Sequence, residues 1–338
     1  MNSTSQDAPA VTLQKIKTAA RTFLAVAGAA LAMSTLAAPF PGKPVRVITA
    51  SSAGSGPDAA MRVLAEKLSA KWGQPVIVDN RPGGNGFIAV SAFRQATPDG
   101  HELINLDSSH ITTHPHTFSR LPYDPQKDFA PIRPILLTDF FVVVGKDSPY
   151  KSLDDIVAAA KASKGQLTYG SWFNGSPGHL GGLRLQAQQG VDMLHVPFKE
   201  MPQLYSAVAT QEVQWALGSL ASAGPLEKAG KVRFIGVAAP QRSPFFPDLP
   251  SSSESAVAKG YEVNAWVGLF APKGPPKEVR EKIAADIKDV MAQPDLVDRY
   301  RNLGYVPMHL TPDGFEARIA TEIKAWSKII SDARIRLD

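Results

Sequence analysis

Residues 51–56 form a serine- and glycine-rich loop (Ser-Ser-Ala-Gly-Ser-Gly) between an apolar run and the dipeptide Pro57-Asp58. A loop of this kind at the start of a helix presents backbone N–H groups that lack partners inside the helix, and such groups bind anions. Serine hydroxyls add donors, while Gly54 and Gly56 let the backbone approach a ligand closely. The pattern predicts a carboxylate site with Pro57 as the first helical residue.

A second loop of similar composition, residues 171–176 (Ser-Trp-Phe-Asn-Gly-Ser), again separates a strand-like run from a helical pattern. Ser176 is predicted to cap that helix, and His179 to make a structural hydrogen bond in its first turn. Trp172 and Phe173 either pack at the surface or form an aromatic wall for a ligand that carries a ring. Two such loops predict a clamp that closes on a carboxylate.

The first loop also nearly matches the glycine fingerprint of dinucleotide-binding proteins, with Asp79 near the position of a ribose-binding acid. Residues 51–53 separate the preceding strand from the first glycine, and Pro57 stiffens the turn that would wrap a pyrophosphate. The fingerprint therefore does not favour a nucleotide here. An ordinary strand-to-helix turn remains an alternative, and Asp58 suits a helix cap better than a ligand contact.

The sequence offers weaker evidence for further donors, for a metal site and for catalysis. Ser108 and Ser109 follow a predicted strand and offer a third set of donors. His110, His114 and His116 lack supporting cysteine or carboxylate ligands, so they are interpreted as loop histidines rather than as a zinc site. The sequence contains neither a G-x-S-x-G nor an H-E-x-x-H motif. We therefore predict no catalytic residue, no metal site and no cofactor.

The first 37 residues are predicted to be an export signal. A basic region that contains Lys15, Lys17 and Arg21 precedes an apolar run at residues 23–36, and small residues follow at the positions required for cleavage near Ala37. The apolar run is short for a membrane span. We expect a periplasmic protein.

Composition narrows the function further. The chain has 338 residues and no cysteine, so disulfide, thiolate and zinc-thiolate chemistry are excluded. The net charge of +5 falls to +3 when the signal, with three basic residues and one acidic residue, is removed. Basic residues form no dense run, so nucleic-acid binding is not predicted. A mature chain of this length normally folds as two domains.

Strand-like and helical runs alternate along most of the chain, which predicts mostly parallel sheets with helices on both faces. In such sheets ligands bind at the carboxyl ends of the strands, where both loops lie. Residues 135–144 and 263–271 are apolar runs that we predict to be the strands crossing between the domains. The C-terminal helices are then expected to pack on the first domain.

Several segments of the mature chain together resemble the Bug family, the receptors of tripartite tricarboxylate transporters. These segments are residues 42–48 (GKPVRVI), 76–84 (VIVDNRPGG), 121–125 (LPYDP), 127–131 (KDFAP), 191–199 (VDMLHVPFK) and 266–272 (WVGLFAP), with Trp326 and the Asp-Ala pair at 332–333.

The resemblance implies a two-lobed α/β periplasmic binding protein of the Venus-flytrap, type II-like kind, with two hinge strands. It implies a first domain of residues 38–137 plus 263–338 and a second of residues 138–262. It also implies a monomeric receptor, not an enzyme, that passes a small carboxylate to integral membrane permease subunits. The expected ligand-binding residues are Ala50, Ser51, Ser52, Ala53, Gly54, Ser55, Asp58, Ser108, Ser109, Trp172, Phe173, Asn174, Gly175, Ser176, Phe198, Lys199 and Gly218.

Two other functions stay open at this point. A receptor that feeds a sensor kinase would have the same sequence features, because no motif marks the surface that meets the partner. A secreted α/β hydrolase would need a base ordered beside a nucleophilic serine, which no motif here supplies.

The chain departs from the family at the first loop, where the usual proline and bulky residue are replaced by Ser51 and Ser52. Trp172 and Phe173 stand where smaller residues are usual, and Gly218 where many members carry aspartate. These departures lead us to expect an aromatic or otherwise bulky carboxylate as the ligand.

A thermal-shift screen of aliphatic and aromatic acids tests this expectation. Aromatic carboxylates should raise the melting temperature because a ring would stack on the aromatic wall. Stabilisation by aliphatic diacids alone would contradict the aromatic hypothesis.

Overall fold

The computed structural model describes residues 40–51, 53–172, 174–198, 201–332 and 335–337. The predicted signal, residues 1–37, therefore lies outside the described residues, as do Ser52, Phe173 and Lys199. Within the described part of the chain, no helix is both long enough and apolar enough to cross a bilayer.

The strands of the described residues form two five-stranded sheets. The first sheet has the order β2-β1-β3-β10-β4, and the second has the order β7-β6-β8-β5-β9. The strands are β1 (Val45–Thr49), β2 (Val76–Asn80), β3 (Glu102–Asp107), β4 (Phe129–Asp139), β5 (Phe141–Gly145), β6 (Thr168–Ser171), β7 (Leu194–Pro197), β8 (Trp215–Gly218), β9 (Val232–Val237) and β10 (Asn264–Pro272).

Helices cover the sheets. They are α1 (Gly56–Trp72), α2 (Phe87–Phe93), a π-helix (Ser109–Thr113), α3 (His114–Thr117), α4 (Pro125–Asp128), α5 (Leu153–Ser163), α6 (Pro177–Gln189), α7 (Met201–Ala209), α8 (Leu220–Lys228), α9 (Lys277–Met291), α10 (Pro294–Asn302) and α11 (Pro312–Asp332). Short 3₁₀ turns occur at Gly84–Gly86 and Ser252–Glu254. Capping residues mark several helix starts in the sequence, as Ser152 does for α5.

Each sheet is mostly parallel, as predicted. In the first sheet only β10 runs against its neighbours β3 and β4, and in the second only β5 runs against β8 and β9. The remaining pairs, such as β1 with β3 and β6 with β7, are parallel. The carboxyl ends of β1, β3 and β6 therefore carry the three loops in which donors were predicted.

The chain crosses between the sheets twice. The predicted single strand at residues 135–144 is two strands, because β4 ends at Asp139 in the first sheet and β5 begins at Phe141 in the second. The return crossing ends at Val263, whose N–H donates to the Ala238 carbonyl at 2.8 Å, while the Ala238 N–H donates to the Phe140 carbonyl at 2.8 Å. These hydrogen bonds hold the two crossing segments side by side.

A separate hydrophobic core fills each half, which we call the first and second lobes after their sheets. The C-terminal region contacts both. Helix α11 packs on the π-helix and β4 of the first lobe and on α6 of the second, where Ile330 and Leu180 share a buried cluster. Farther on, the Leu337 N–H donates to the Thr117 carbonyl in the first lobe at 2.9 Å. The Leu337 side chain occupies the space beside Gly175 in the second lobe.

Close packing of α6 on β6 depends on a glycine. A Cβ added at Gly182 would collide with the ring of Tyr169, which is fully buried and stacks on Trp215 with ring centroids 5.6 Å apart. The glycine thus lets the helix approach the sheet and fixes the position of its first turn.

We expect Gly182→Ala to lower the free energy of unfolding by about 1–3 kcal/mol, because the tyrosine ring must move in a filled core. The matched control is Gly236→Ala in β9, where a Cβ would meet only the Pro250 carbonyl at 3.5 Å. That variant should change stability by less than about 0.5 kcal/mol. Urea unfolding followed by tryptophan fluorescence measures both, and equal effects would contradict the packing argument.

Candidate functional site

The first loop joins β1 to the N-terminus of α1. Ser55 precedes the helix with an extended backbone but makes no side-chain capping bond, and its hydroxyl oxygen is buried without a partner among the described residues. Gly54 adopts a φ of +78°, which glycine tolerates without strain. The buried Ser55 hydroxyl and the N–H groups at the start of α1 can therefore donate hydrogen bonds to a polar ligand.

The carboxylate of Asp58 organises this loop. One of its oxygens accepts the Gly54 N–H at 2.8 Å and the Arg62 Nε–H at 3.0 Å, and the other accepts the Asn80 amide at 2.8 Å. The same Asn80 amide also donates to the Ser51 carbonyl. Burial raises the pKa of Asp58, but these donors and the charge of Arg62 lower it overall. The carboxylate of Asp58 is therefore used in positioning the loop, while a ligand contact at Asp58 stays a prediction.

A tyrosine that the sequence did not single out lies beside the first loop. A Cβ on Gly56 would collide with the hydroxyl of Tyr305, which is otherwise mostly buried. Burial raises the pKa of Tyr305 to about 12, so the phenol keeps its proton and remains a donor. The neighbouring Gly304 approaches Leu220 at the start of α8, so this segment connects the first loop to the second lobe.

The second loop is built around two histidines. Ser176 caps α6 by accepting the His179 N–H at 3.3 Å, and the Gly175 N–H donates to His179 Nδ1 at 2.9 Å. The His179 ring stacks on His195 with centroids 3.9 Å apart, and His195 pairs with the Ser171 hydroxyl. Burial, with the neighbouring His195, lowers the pKa of His179 to about 3. His179 is therefore neutral and structural, as predicted.

Trp172 occupies a different position from the one expected. Its side chain belongs to the second core, where it packs over Gly178 and lies against Phe140 with ring centroids 5.6 Å apart. The tryptophan thus connects the loop to the crossing segment and is not available as an aromatic wall. Asn174, in contrast, is exposed.

Two further residues predicted in the second lobe, Phe198 and Gly218, pack against neighbouring side chains of that lobe. Phe198 packs against the second core, and its N–H donates to the Ser171 carbonyl at 2.8 Å. Gly218 ends β8 in a space where a Cβ would lie 2.8 Å from Ala223 and 3.0 Å from the Tyr205 hydroxyl. A larger residue at position 218 would therefore displace its neighbours, and a ligand contact at Gly218 stays a prediction. Ala50, in the first lobe, packs against the core of that lobe.

The third loop leads directly into helical turns. Asp107 accepts the Ser109 N–H at 2.8 Å and pairs with His110 Nδ1 at 2.9 Å. Burial opposes the charge on His110, but the carboxylate raises its pKa overall, and His110 in turn holds the pKa of Asp107 well below its usual range. The carboxylate thus fixes the start of the π-helix.

The interpretation of the three histidines as loop residues was wrong, because His110 lies in the π-helix and both His114 and His116 lie in α3. His110 and His114 are buried within the π-helix and α3, and the Tyr123 hydroxyl donates to the His110 carbonyl at 2.7 Å. In the described ranges, no three His, Cys, Asp or Glu side chains are grouped so that they would hold a metal ion.

A cavity of about 300 Å³ lies between the lobes. It brings the predicted residues Ser108 and Ser109 of the first lobe together with the first turns of α6 in the second. The first-loop residues are not among its lining side chains. The lining consists of Ser108, Ser109, Thr112, Thr113, Pro177, Leu180, Arg184, Glu262, Asn264, Arg318, Thr321, Glu322, Ala325 and Trp326.

Charged groups line the end of the cavity next to the second crossing. Arg318 pairs with Glu322 at 2.7 Å, donates to the Asn264 side chain at 2.8 Å and lies 4.0 Å from Glu262. The Trp266 indole donates to the second oxygen of Glu322 at 2.8 Å. Burial raises the pKa of Glu322 even though Arg318 opposes the shift. The cavity thus offers hydroxyls at one end and ionic groups at the other.

Comparison with known proteins gives one consistent result. Residues 60–335 match the family described as the tripartite tricarboxylate transporter family receptor. The chain is 31% identical to a UPF0065 protein of Pseudomonas sp. strain P51 over 92% of this chain and 94% of that protein. It is 25% identical to the protein BugT of Bordetella pertussis over 93% of this chain and 98% of BugT.

Solved structures agree with this match. The chain resembles an R. palustris protein solved with adipate (28% identity, TM-score 0.74, 88% of this chain and 100% of that chain). It also resembles MatC from Rhodopseudomonas palustris with bound malate, with 27% identity, a TM-score of 0.69 and coverage of 86% of this chain and 100% of MatC. The periplasmic binding protein BugD is similar as well, with 26% identity, a TM-score of 0.70 and coverage of 88% of this chain and 100% of BugD. The Bug resemblance and the two-lobed α/β fold predicted from the sequence are confirmed.

We expect Asp58→Asn to lower the free energy of unfolding by about 1–3 kcal/mol at pH 7, because Arg62 loses its carboxylate partner and the Gly54 N–H loses a charged acceptor. Because the folded pKa of Asp58 is lowered, its contribution is present above its unfolded pKa and is lost as pH falls through the folded value. The gap between wild type and variant should therefore shrink in acid.

Denaturant unfolding at pH 7 and near pH 3 measures this gap. The control is Asp298→Asn, since both partners of the Asp298–Arg301 pair are more than half exposed. That variant should change stability by less than about 0.5 kcal/mol at either pH. An effect of Asp58→Asn that grows on acidification would contradict the assigned role.

Proposed function

We propose that this chain, which belongs to the tripartite tricarboxylate transporter receptor family, captures a small carboxylate between its lobes and delivers it to a membrane transporter. The family consists of periplasmic solute-binding receptors. The observation that carries the proposal is the cavity lined from both lobes, by Ser108 and Ser109 on one side and Pro177 on the other. A ligand held there contacts both lobes at once.

The mechanism that we propose is closure about the two crossing segments. Residues 38–137 with 263–338 would move as one lobe and residues 138–262 as the other. A ligand that contacts both lobes stabilises the closed form, because the open form makes only part of those contacts. Charge-assisted hydrogen bonds of about 1.5–3 kcal/mol each, taken together, are sufficient for micromolar binding.

We propose that closure brings donors at the ends of β1, β3 and β6 around the ligand carboxylate. The unpartnered hydroxyl of Ser55 and the Tyr305 phenol supply donors near the first loop, and Ser109 supplies one in the cavity. Ser51, Ser52, Ala53, Gly54, Asn174, Gly175, Ser176 and Lys199 remain proposed contributors from the sequence.

An aliphatic ligand is now favoured over an aromatic one. The Trp172 ring, which was expected to face the ligand, instead packs against Phe140 in the core of the second lobe. Adipate and malate are the ligands named with two of the similar structures. We propose an aliphatic carboxylate of this size as the solute.

Binding of this kind involves no covalent step, and we propose that the protein is a receptor rather than an enzyme. The hydrolase alternative would need a serine activated by a base. The Ser171–His195 pair is the nearest arrangement, but burial lowers the pKa of His195 to about 4 and its ring is stacked on His179.

Calorimetric titration of the mature chain with malate, adipate and benzoate tests the binding proposal. We expect micromolar dissociation constants for the aliphatic acids and weaker binding of benzoate. Ser109→Ala should weaken binding by about ten- to 150-fold, since one hydrogen bond to a charged group, of about 1.5–3 kcal/mol, is lost. The control is Ser206→Ala on an exposed position of α7. Absence of binding by all three acids would contradict the proposal.

Two further experiments address the partner and the location. Uptake of a labelled acid that binds should be lost when adjacent permease genes are deleted, whereas a sensor would leave uptake unchanged and alter gene expression. N-terminal sequencing of the protein recovered from the periplasm should begin after Ala37.

A further inference from the structure

The lobes also meet at the turn that follows α10, where backbone hydrogen bonds attach the chain to the first lobe. The Tyr305 N–H donates to the Tyr300 carbonyl at 2.9 Å. The Val306 N–H donates to the Leu137 carbonyl of β4 at 3.0 Å, and the Leu137 N–H donates back to the Val306 carbonyl at 2.8 Å. Residues 304–306 therefore belong to the first lobe and would move with it.

Gly304 presents its backbone to the second lobe at the start of α8. A Cβ at this position would lie 3.1 Å from the Cβ of Leu220 and 3.4 Å from the backbone nitrogen of Ala221. The first distance is shorter than the optimal separation of two carbon atoms. The start of α8 is held in place, because Ser219 caps it and the Leu220 side chain packs against the second core. Only a residue without a side chain therefore allows this approach.

The same turn also reaches the first loop. The Tyr305 hydroxyl occupies the position that a Cβ on Gly56 would need, so it contacts the start of α1. Tyr305 and its neighbour Gly304 are both buried. Two consecutive residues thus connect the start of α8 in the second lobe to the first loop.

The left-handed backbone of Gly304 gives a second reason for a glycine at this position. Its φ is +78°, a value that glycine adopts without strain. Gly73 allows the two reasons to be separated, since it follows α1 with a φ of +64° and a Cβ there would meet nothing within 4 Å. Asparagine tolerates the left-handed conformation at both positions while it adds a side chain.

We propose that the approach of Gly304 to the start of α8 sets the closed position of the two lobes, so that a side chain at position 304 holds the lobes apart and weakens ligand binding. Neither Gly304 nor Leu220 lines the interlobe cavity, so this contact acts on the ligand only through the position of the lobes. The inference rests on the proposed function and specifies what limits closure around the ligand.

Calorimetric titration with adipate and with malate tests the inference. Gly304→Asn should weaken binding of each acid that binds wild type by about tenfold, because lobes held apart lose roughly one of the hydrogen bonds that the closed form makes to the ligand. Gly73→Asn should leave the affinity unchanged. Gly304→Ala adds a single carbon that requires only a small shift of α8, so its loss of affinity should be intermediate.

Two further measurements distinguish incomplete closure from a general loss of structure. Without ligand, Gly304→Asn and Gly73→Asn should lower the melting temperature equally, because the open form relieves the collision at position 304. In small-angle scattering, saturating ligand should reduce the radius of gyration of wild type and of Gly73→Asn more than that of Gly304→Asn.

A double variant tests the contact itself. Leu220→Ala combined with Gly304→Asn should recover part of the lost affinity, because the Cγ of Leu220 lies 3.4 Å from the position of the added Cβ. Residues in direct contact give such non-additive effects. Leu220→Ala alone is the reference for this comparison, and strictly additive losses would contradict the inference.

Other results would also overturn the inference while the receptor proposal stands. They are equal affinities of Gly304→Asn and Gly73→Asn, a lower melting temperature of Gly304→Asn than of Gly73→Asn, or a contraction of Gly304→Asn on ligand binding as large as that of wild type. If wild type binds neither acid, the proposed function fails together with this inference.

Discussion

Two crossings of the backbone connect the sheets, and the hydrogen bonds between the crossing segments determine how the two lobes are related. Ala238 is the central residue of this connection, because its N–H reaches the Phe140 carbonyl and its carbonyl accepts the Val263 N–H. One residue farther along, Asn264 pairs with Asp139 in the first sheet. Burial, with the nearby charge of Glu262, raises the pKa of Asp139 to about 6. The relative position of the loops at the ends of β1, β3 and β6 therefore depends on these hydrogen bonds between the crossing segments.

Much of the fold was predictable because local signals marked it. Capping serines, prolines at helix starts and alternating strand and helix patterns located most elements. The apolar run at residues 135–144 was misread as one strand, since its composition stays apolar through the change of sheet at Phe140. The π-helix at Ser109–Thr113 was missed because no periodicity over five residues distinguishes it from a loop, and α8 was missed because Pro225 interrupts its pattern.

The candidate site was predictable only in part, for a different reason. Ser108 and Ser109 follow a strand, so their position at the cavity was accessible from the sequence. Tyr305 follows the turn after α10 and Arg184 lies on α6, and tertiary packing sets the positions of both, for which the sequence contains no signal. Trp172 shows the opposite error, since an aromatic residue in a loop was expected to face a ligand and instead fills the core over Gly178.

The contact between Leu337 and the second loop has a practical consequence for studying motion. Its amide is bonded to Thr117 in one lobe while its side chain fills the space beside Gly175 in the other. Separation of the lobes breaks one of these two contacts, so deuterium uptake at that single amide would show whether the chain end stays bonded to the first lobe, because an amide exchanges when its hydrogen bond opens.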